Sequence, residues 1–319
     1  MPIKVCFMGS ADISCNILEF LLTNQKKFNI NITHLYTKEP KQVGRGHKVI
    51  YSKIYQQALS NNLTILTPKT LRNQETQQNF INEKFDLCLV FAYGLILPTA
   101  ILNNPPLGCL NIHASLLPLL RGASPIQRSI EQGLKETGIT LMYMDEGLDT
   151  GDIIFQEKTS ILPNTTLKDL FLEIENLSKT ILKKLFEFLP NKLPRIPQNN
   201  LQATYAPPLK KEEGLINWKE TAETLNRKIL AFCNYPTSYF YDSNHKLFKI
   251  ISAEVYKTNN SKPAGEILDQ NKNLIIQTGY NALKILTIKK EGKQTQPIEL
   301  FLQGNKFHQN NLNLPIEKK

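Results

Sequence analysis

Short apolar runs alternate with amphipathic stretches along the first third of the chain. The run 3–8 (IKVCFM) has the length of a buried strand, and Ile13 to Leu22 carries apolar residues at helical spacing. The same pattern predicts further strands at 29–36, 63–66 and 86–91, and further helices at 53–60 and 73–84. Because strands that alternate with helices build parallel sheets, this order predicts a doubly wound, Rossmann-like α/β domain with a mostly parallel sheet.

A dinucleotide-binding fingerprint does not follow the first strand. The segment 9–12 (GSAD) has one glycine where a dinucleotide fold needs three, so we expect neither NAD nor FAD. The fold can be Rossmann-like without such a cofactor. Further along, the pattern predicts a strand from Gly108, a helix at 126–132, strands at 137–144 and 153–158, and a long amphipathic helix at 166–188.

Prolines interrupt the pattern after residue 188. Five of them fall between 189 and 209, a density typical of a linker. Beyond them, a helix is predicted at 221–231 and short strands at 239–241, 247–255, 274–278 and 282–288. Short strands separated by turn residues favour a small β-barrel of the OB-like kind. The predicted organisation is a first domain at 1–188, a linker at 189–208 and a C-terminal β-barrel domain at 209–319.

Charge adds an expectation about partners. The net charge is +10 and the pI is about 9.2, which favours a polyanionic partner such as a nucleic acid, although lysine and asparagine are abundant throughout and a composition bias explains the same values. No apolar run reaches the length of a membrane span and no signal peptide is evident, which predicts a cytoplasmic protein. The five cysteines form no C-x-x-C pair, so neither a disulfide framework nor a zinc site is expected.

Candidate chemistry lies in the run 111–122 (NIHASLLPLLRG). Asn111 and His113 alternate with apolar residues on a predicted strand, so their side chains share one face. An amide and an imidazole are both N–H donors that can stabilise the oxyanion of a carbonyl under attack. The run 147–152 (GLDTGD) supplies Asp149, a carboxylate that can hold the imidazole and accept a proton from an attacking amine. Since no G-x-S-x-G elbow occurs, direct acyl transfer is favoured over a covalent acyl-enzyme.

Each of these residues also has a structural interpretation. A single histidine on a strand is more often a packed residue, and the run 147–152 alone is compatible with an ordinary turn. The specific signal is the order of the motifs, in which the strand, Ser-Leu-Leu-Pro, Arg-Gly, a helix and the Asp149 loop follow one another.

The ordered motifs resemble those of the folate-dependent formyltransferases, and the similarity covers nearly the whole chain. It is carried by 91–98 (FAYGLILP), 111–118 (NIHASLLP), 121–128 (RGASPIQR) and 136–152 (ETGITLMYMDEGLDTGD), and in the C-terminal part by 204–206 (TYA), 216–218 (INW) and 263–265 (PAG). The resemblance implies that Asn111, His113 and Asp149 are catalytic. It also implies folate binding by a group of residues from two segments: Ser115, Leu116, Leu117, Pro118, Phe91, Tyr93, Gly94, Leu95 and Leu97.

Within that family the motifs are closest to the members that act on initiator tRNA. The resemblance implies direct transfer of the formyl group of 10-formyltetrahydrofolate to the α-amine of methionine on initiator tRNA, through a tetrahedral intermediate and without a metal. It also implies that Arg45, in a Gly-Arg-Gly loop, contacts the tRNA together with Lys41 and Lys48, and a monomer is expected. Two alternatives stay open: a formyltransferase for a nucleotide-linked amino-sugar, and a non-catalytic folate- or RNA-binding protein.

Overall fold

The chain forms two compact units. The computed structural model describes residues 1–43, 48–189, 191–259, 261–307 and 312. The first unit comprises 1–125, 136–160 and 171–207, and the second comprises 126–135, 161–170 and 208–319. Each unit is therefore built from segments that are separated in sequence.

The elements up to residue 188 alternate as the apolar pattern predicts. The strands are β1 (Ile3–Gly9), β2 (Ile30–Tyr36), β3 (Lys41–Val43), β4 (Lys48–Ile50), β5 (Thr64–Leu66), β6 (Leu87–Phe91), β7 (Cys109–His113), β8 (Glu136–Tyr143) and β9 (Ile153–Ser160). The helices are α1 (Asp12–Thr23), α2 (Gln25–Phe28), α3 (Lys53–Ser60), α4 (Gln74–Asn82), α5 (Thr99–Leu102), α6 (Pro125–Glu131) and α7 (Leu167–Phe188).

A seven-stranded sheet forms the centre of the first unit, in the order β5-β2-β1-β6-β7-β8-β9. The strands from β5 to β7 are parallel, and β8 and β9 are added antiparallel at one edge. Every residue of β6 is buried, which suits a central parallel strand covered on both faces. The second half of β9 alternates between half-buried and exposed residues, which suits an edge strand. The predicted Rossmann-like, mostly parallel sheet is confirmed.

The order of the sheet reverses between β1 and β6. From β1 the sheet continues through β2 to β5, and from β6 it continues in the other direction through β7. Such a switch point leaves a crevice at the carboxyl ends of the strands, where open α/β sheets bind their ligands. β6 ends at Phe91 and β7 ends at His113, so two of the predicted functional segments begin at this edge.

After residue 208, the described part of the second unit contains an antiparallel sheet and two α-helices. These elements are α8 (Ala222–Ala231), β10 (Ser238–Tyr241), β11 (Leu247–Tyr256), β12 (Ile267–Asp269), β13 (Leu274–Gln277), β14 (Ala282–Lys290), β15 (Thr295–Pro297) and α9 (Ile298–Gly304). The sheet has the order β10-β11-β14-β13-β12, and β15 also pairs with β14. Register shifts between Ile250 and Ala253 interrupt the pairing of β11 with β14, and such irregularities bend a strand. The predicted small C-terminal β-domain is confirmed, as a curled antiparallel sheet.

An aromatic cluster forms the core of this second sheet. Phe240 stacks on Phe248, and Phe301 and Phe307 pack against Phe248 from the chain that follows the sheet. Trp218 meets Phe240 edge-on and is 1% exposed. Aromatic side chains bury large apolar areas, so this cluster accounts for much of the unit's hydrophobic stabilisation.

The sequence pattern misses several of the short elements. Segments such as α2, α5, β3, β4, β12 and β15 have three or four residues, which is too short to show a helical or strand period. α9 is also missed, although Ile298, Phe301 and Leu302 on it are buried. Nor does periodicity give the direction of β8 and β9, because pairing direction depends on contacts that are distant in sequence.

All five cysteines are free thiols. Cys6, Cys88 and Cys109 are buried at matched positions of β1, β6 and β7, whereas Cys15 and Cys233 are half-buried. Among the helices of the described ranges, none combines the length and the apolar character that crossing a membrane requires.

Candidate active site

Asn111 and His113 lie at the carboxyl end of β7, between β6 and β8. Asn111 is paired with Val90 and Met142, and His113 is paired with Thr140. His113 is buried at 5% exposure, whereas Asn111 is half-buried. No described residue forms a hydrogen bond with the Asn111 side chain, so its amide N–H groups are available to a ligand.

The His113 ring lies between two acceptors. Nε2 is 2.9 Å from the Leu120 carbonyl oxygen, and Nδ1 is 3.4 Å from Asp149 Oδ2. Since a carbonyl oxygen can only accept, Nε2 is the donor in the first contact. Both ring nitrogens therefore face an oxygen that can accept a hydrogen bond.

Asp149 is held by a hydrogen bond from Gly122 and by contacts within its own loop. Its Oδ2 also accepts a hydrogen bond from the Gly122 backbone N–H at 2.8 Å. Within the loop, Asp145 Oδ1 accepts from Gly147 N–H at 3.0 Å and from the Thr150 hydroxyl at 2.7 Å. Gly151 lies so close to the Tyr143 carbonyl oxygen that an added Cβ would be only 1.9 Å from it, so this position requires glycine. The three predicted catalytic residues are therefore placed by one strand end and one tightly bonded loop.

The run 115–118, which is predicted to bind folate, is held by hydrogen bonds with Thr140 of β8. The Thr140 hydroxyl donates to the Ser115 carbonyl at 2.7 Å and accepts from Leu117 N–H at 3.0 Å. The Ser115 hydroxyl donates to the Leu119 carbonyl at 2.5 Å, and both Ser115 and Leu117 are buried. Leu116 and Pro118 are half-buried.

The second segment predicted to bind folate follows β6. Phe91, Tyr93 and Leu97 are buried, Leu95 is half-buried and Gly94 is exposed. Burial raises the pKa of the Tyr93 hydroxyl well above its usual range, and no described residue accepts its hydrogen bond. Of these residues, Gly94 and Leu95 are the ones that the structure presents at the surface of the switch-point edge.

Two of the three residues predicted to contact tRNA lie on β3 and β4, which pair antiparallel. Lys41 begins β3 and Lys48 begins β4, and Lys41 is paired with Ile50. Arg45 lies outside the described residues. Within the described ranges no group of His, Cys, Asp or Glu side chains is arranged to hold a metal ion.

One part of the site is not predicted by the sequence. Gln198 lies in the proline-rich stretch that the composition favours as a linker, yet its amide donates to the carbonyl oxygens of Asp149 at 2.9 Å and Gly151 at 2.8 Å. Arg121 is 3% exposed and donates to Gln198 Oε1. The only sequence signal near Gln198 is the short motif 204–206 (TYA).

Two family models match the chain over most of its length. The model described as formyl transferase matches residues 3–185, and the model of the formyl transferase C-terminal domain matches residues 208–306. The chain belongs to the formyl transferase family. The resemblance drawn from the motifs, and the enzyme class that it implies, are confirmed.

Curated relatives of this formyltransferase carry a more specific name. The methionyl-tRNA formyltransferase of Carboxydothermus hydrogenoformans is 41% identical over 307 residues, which cover 94% of this chain and 96% of the relative. The methionyl-tRNA formyltransferase of Alkaliphilus oremlandii is 36% identical over 312 residues, which cover 97% of this chain and 99% of the relative.

Solved structures share the fold of this formyltransferase at lower identity. WlaRD, a sugar 3N-formyl transferase solved in the presence of dTDP and 5-N-formyl-THF, is 24% identical with a TM-score of 0.64, covering 92% of this chain and 100% of that one. An N-formyltransferase from Helicobacter canadensis, in complex with folinic acid and dTDP-3-aminofucose, is 22% identical with a TM-score of 0.62, covering 89% of this chain and 99% of that one. These likenesses show a common fold.

The anchoring of the 115–118 run by Thr140 leads to a stability prediction. Thr140→Val leaves the Leu117 N–H and the Ser115 carbonyl without their partner, and we expect a loss of about 1–3 kcal/mol in the free energy of unfolding, measured by urea denaturation. Thr137→Val is the matched control, because the Thr137 hydroxyl on the same strand is buried with no partner among the described residues. An equal loss in both variants would show that Thr140 does not anchor the loop.

Proposed function

We propose that this formyltransferase transfers the formyl group of 10-formyltetrahydrofolate directly to the α-amine of methionyl initiator tRNA, giving N-formylmethionyl-tRNA. The observation that carries the proposal is the placement of His113 against Asp149, on the strand that also carries Asn111, whose amide has no hydrogen-bond partner among the described residues. The chain is 41% identical to a methionyl-tRNA formyltransferase. All three side chains come from one chain, so the proposed site needs no second copy and is compatible with a monomer.

The chemistry follows from the donors present. The α-amine attacks the formyl carbon, a new C–N bond forms and the carbonyl oxygen becomes an oxyanion. The Asn111 amide donates to this oxyanion. An N–H of His113, which faces Leu120 or Asp149 before the substrates bind, then donates to the oxyanion instead. Collapse of the tetrahedral intermediate breaks the bond to folate N10, which takes up a proton as the attacking nitrogen loses one.

Asp149 has two functions in this scheme. Its Oδ2 faces His113 Nδ1 at 3.4 Å, so it fixes the orientation of the ring. A carboxylate at this position can also accept the proton that the attacking amine loses. The hydrogen bond from Gly122 N–H at 2.8 Å orients this carboxylate.

We assign binding of the formyl donor to the two segments that follow β6 and β7. Leu116, Pro118, Gly94 and Leu95 offer apolar or backbone surface at the switch-point edge, which suits a flat heteroaromatic ring. Structures of the same fold contain 5-N-formyl-THF or folinic acid, and this supports a folate donor here. The buried residues of both segments, Phe91, Tyr93, Leu97, Ser115 and Leu117, would support that surface from beneath.

We assign the acceptor of the formyl group from the relatives of the chain and from its net charge. Both curated relatives named above are methionyl-tRNA formyltransferases, whereas the sugar formyltransferases are similar at 24% identity or less. A net charge of +10 favours a polyanion such as tRNA. Arg45, Lys41 and Lys48 would contact the tRNA phosphates.

A formyl-transfer assay with two acceptors tests this proposal directly. With 10-formyltetrahydrofolate as donor, we expect formylated methionyl initiator tRNA and no product from dTDP-linked amino-sugars, each detected by mass spectrometry. Formylation of the amino-sugar alone would support the second acceptor class, and no product with either would support a binding protein.

Loss of the imidazole should affect the transition state more than folate binding. We expect His113→Ala to lower kcat by about 10²–10³-fold, as removal of an oxyanion donor does elsewhere, while folate still binds in a fluorescence titration. His34→Gln is the control, since His34 is also buried on a strand of the same sheet but lies on β2. Near-normal turnover of His113→Ala would exclude the proposed mechanism.

Loss of Arg45 should affect the tRNA step alone. We expect Arg45→Ala to raise KM for methionyl-tRNA and to reduce the slope of log affinity against log salt by about 1, without a change in folate binding. Arg72→Ala, at an exposed arginine elsewhere in the first unit, is the control. Unchanged kinetics with tRNA at moderate salt would remove this loop from the proposal.

A further inference from the structure

We infer that the segment 198–206 is part of the catalytic machinery, and that Gln198 and Thr204 are positioning residues that hold both acceptors of the His113 imidazole. The inference rests on the proposed function, because it concerns the orientation of His113 and Asp149. Neither Gln198 nor Thr204 reaches the reacting atoms in this scheme, and each acts through another residue.

The two acceptors need support because their backbone is strained. Leu120 provides the carbonyl oxygen at Nε2 and has a φ of 58°, and Asp149 provides the carboxylate at Nδ1 and has a φ of 54°. Residues with side chains rarely adopt this left-handed region, and they remain there only where the surroundings hold them. Both residues that accept from the imidazole thus have an unfavourable backbone conformation, which depends on contacts with neighbouring segments.

Gln198 holds the Asp149 side. Its Oε1 accepts from Arg121 Nε at 3.2 Å and Nη2 at 2.8 Å. Because a guanidinium only donates, this contact fixes which end of the amide is the oxygen. The amide nitrogen must then face the other way, where it donates to the carbonyls of Asp149 and Gly151 at 2.9 and 2.8 Å.

Thr204 holds the Leu120 side. Its hydroxyl accepts from Leu120 N–H at 2.9 Å, and its carbonyl accepts from Arg121 N–H at 2.9 Å. Ala206 extends this pairing, since its N–H donates to the Arg121 carbonyl at 2.7 Å. At Gly122, which donates to Asp149, an added Cβ would lie 2.8 Å from the Ala206 carbonyl oxygen. The segment therefore fits closely against the backbone that carries the first acceptor.

The expected effect is on turnover, because displacement of a catalytic group by about 1 Å can lower a rate by on the order of 10²-fold. Gln198→Met preserves the length of the side chain and removes every hydrogen bond, and Gln198→Glu keeps the acceptor for Arg121 but cannot donate to the two carbonyls. We expect each to lower kcat by about 10- to 100-fold, with smaller changes in KM for folate and methionyl-tRNA. Thr204→Val should behave similarly, and Thr204→Ser should restore turnover because it keeps the hydroxyl.

Gln277→Met is the matched control. The Gln277 amide also donates to two backbone carbonyls, those of Thr278 and Asn281, but it lies in the sheet of the second unit. We expect this variant to lose thermal stability while kcat is unchanged. If Gln198→Met and Gln277→Met affect Tm alike and neither affects kcat, Gln198 has only a structural role and the inference is wrong.

A double-mutant cycle separates this inference from the proposed function. If Gln198 acts through Asp149, Gln198→Met should lower kcat in the wild-type background but not in an Asp149→Asn background. Independent effects in the two backgrounds would overturn the inference. Retained turnover in Asp149→Asn and His113→Ala would instead overturn the catalytic assignment, and that result does not depend on Gln198.

Discussion

The His113 imidazole lies between a backbone carbonyl and a carboxylate, and the geometry of the site depends on keeping these two acceptors in place. The carbonyl belongs to Leu120, seven residues further along the chain, and the carboxylate belongs to Asp149. A strand end can place the imidazole, but it cannot hold two loops against it. The parallel sheet therefore supplies the position of the site, and polar side chains from β8 and from 198–206 supply its geometry.

These polar side chains form hydrogen bonds with backbone groups, as neighbouring strands do within the sheet. Buried backbone N–H and C=O groups must be paired, and the irregular loops around His113 pair only part of theirs with other backbone groups. Thr140 pairs the backbone of Ser115 and Leu117, while Gln198 and Thr204 pair that of the two acceptor loops. Each such side chain connects segments that are distant in sequence, so the loops of the site are coupled to the packed sheet.

Local patterns in the sequence account for the sheet and for part of the site. Alternation places Asn111 and His113 on one face of β7, and the motif order associates Asp149 with them. The function of Gln198 could not be predicted, because a glutamine among prolines has no pattern, and its partners lie 47 and 49 residues away. The antiparallel addition of β8 and β9 is missed for the same reason, since strand direction is set by tertiary pairing. The density of prolines at 189–209 predicts a linker, and it does not predict that this stretch forms hydrogen bonds with the loops around His113.

The bond between Arg121 and Gln198 has a consequence for how the site responds to acidity. A guanidinium stays charged at every pH at which the protein is folded, and the amide and hydroxyl groups of Gln198 and Thr204 do not titrate in that range. The connections from Arg121 through Gln198 to Asp149, and from Thr204 to Leu120, therefore neither gain nor lose protons. The hydrogen bonds by which Gln198 and Thr204 hold the two acceptor loops therefore keep the same donors and acceptors when the pH changes.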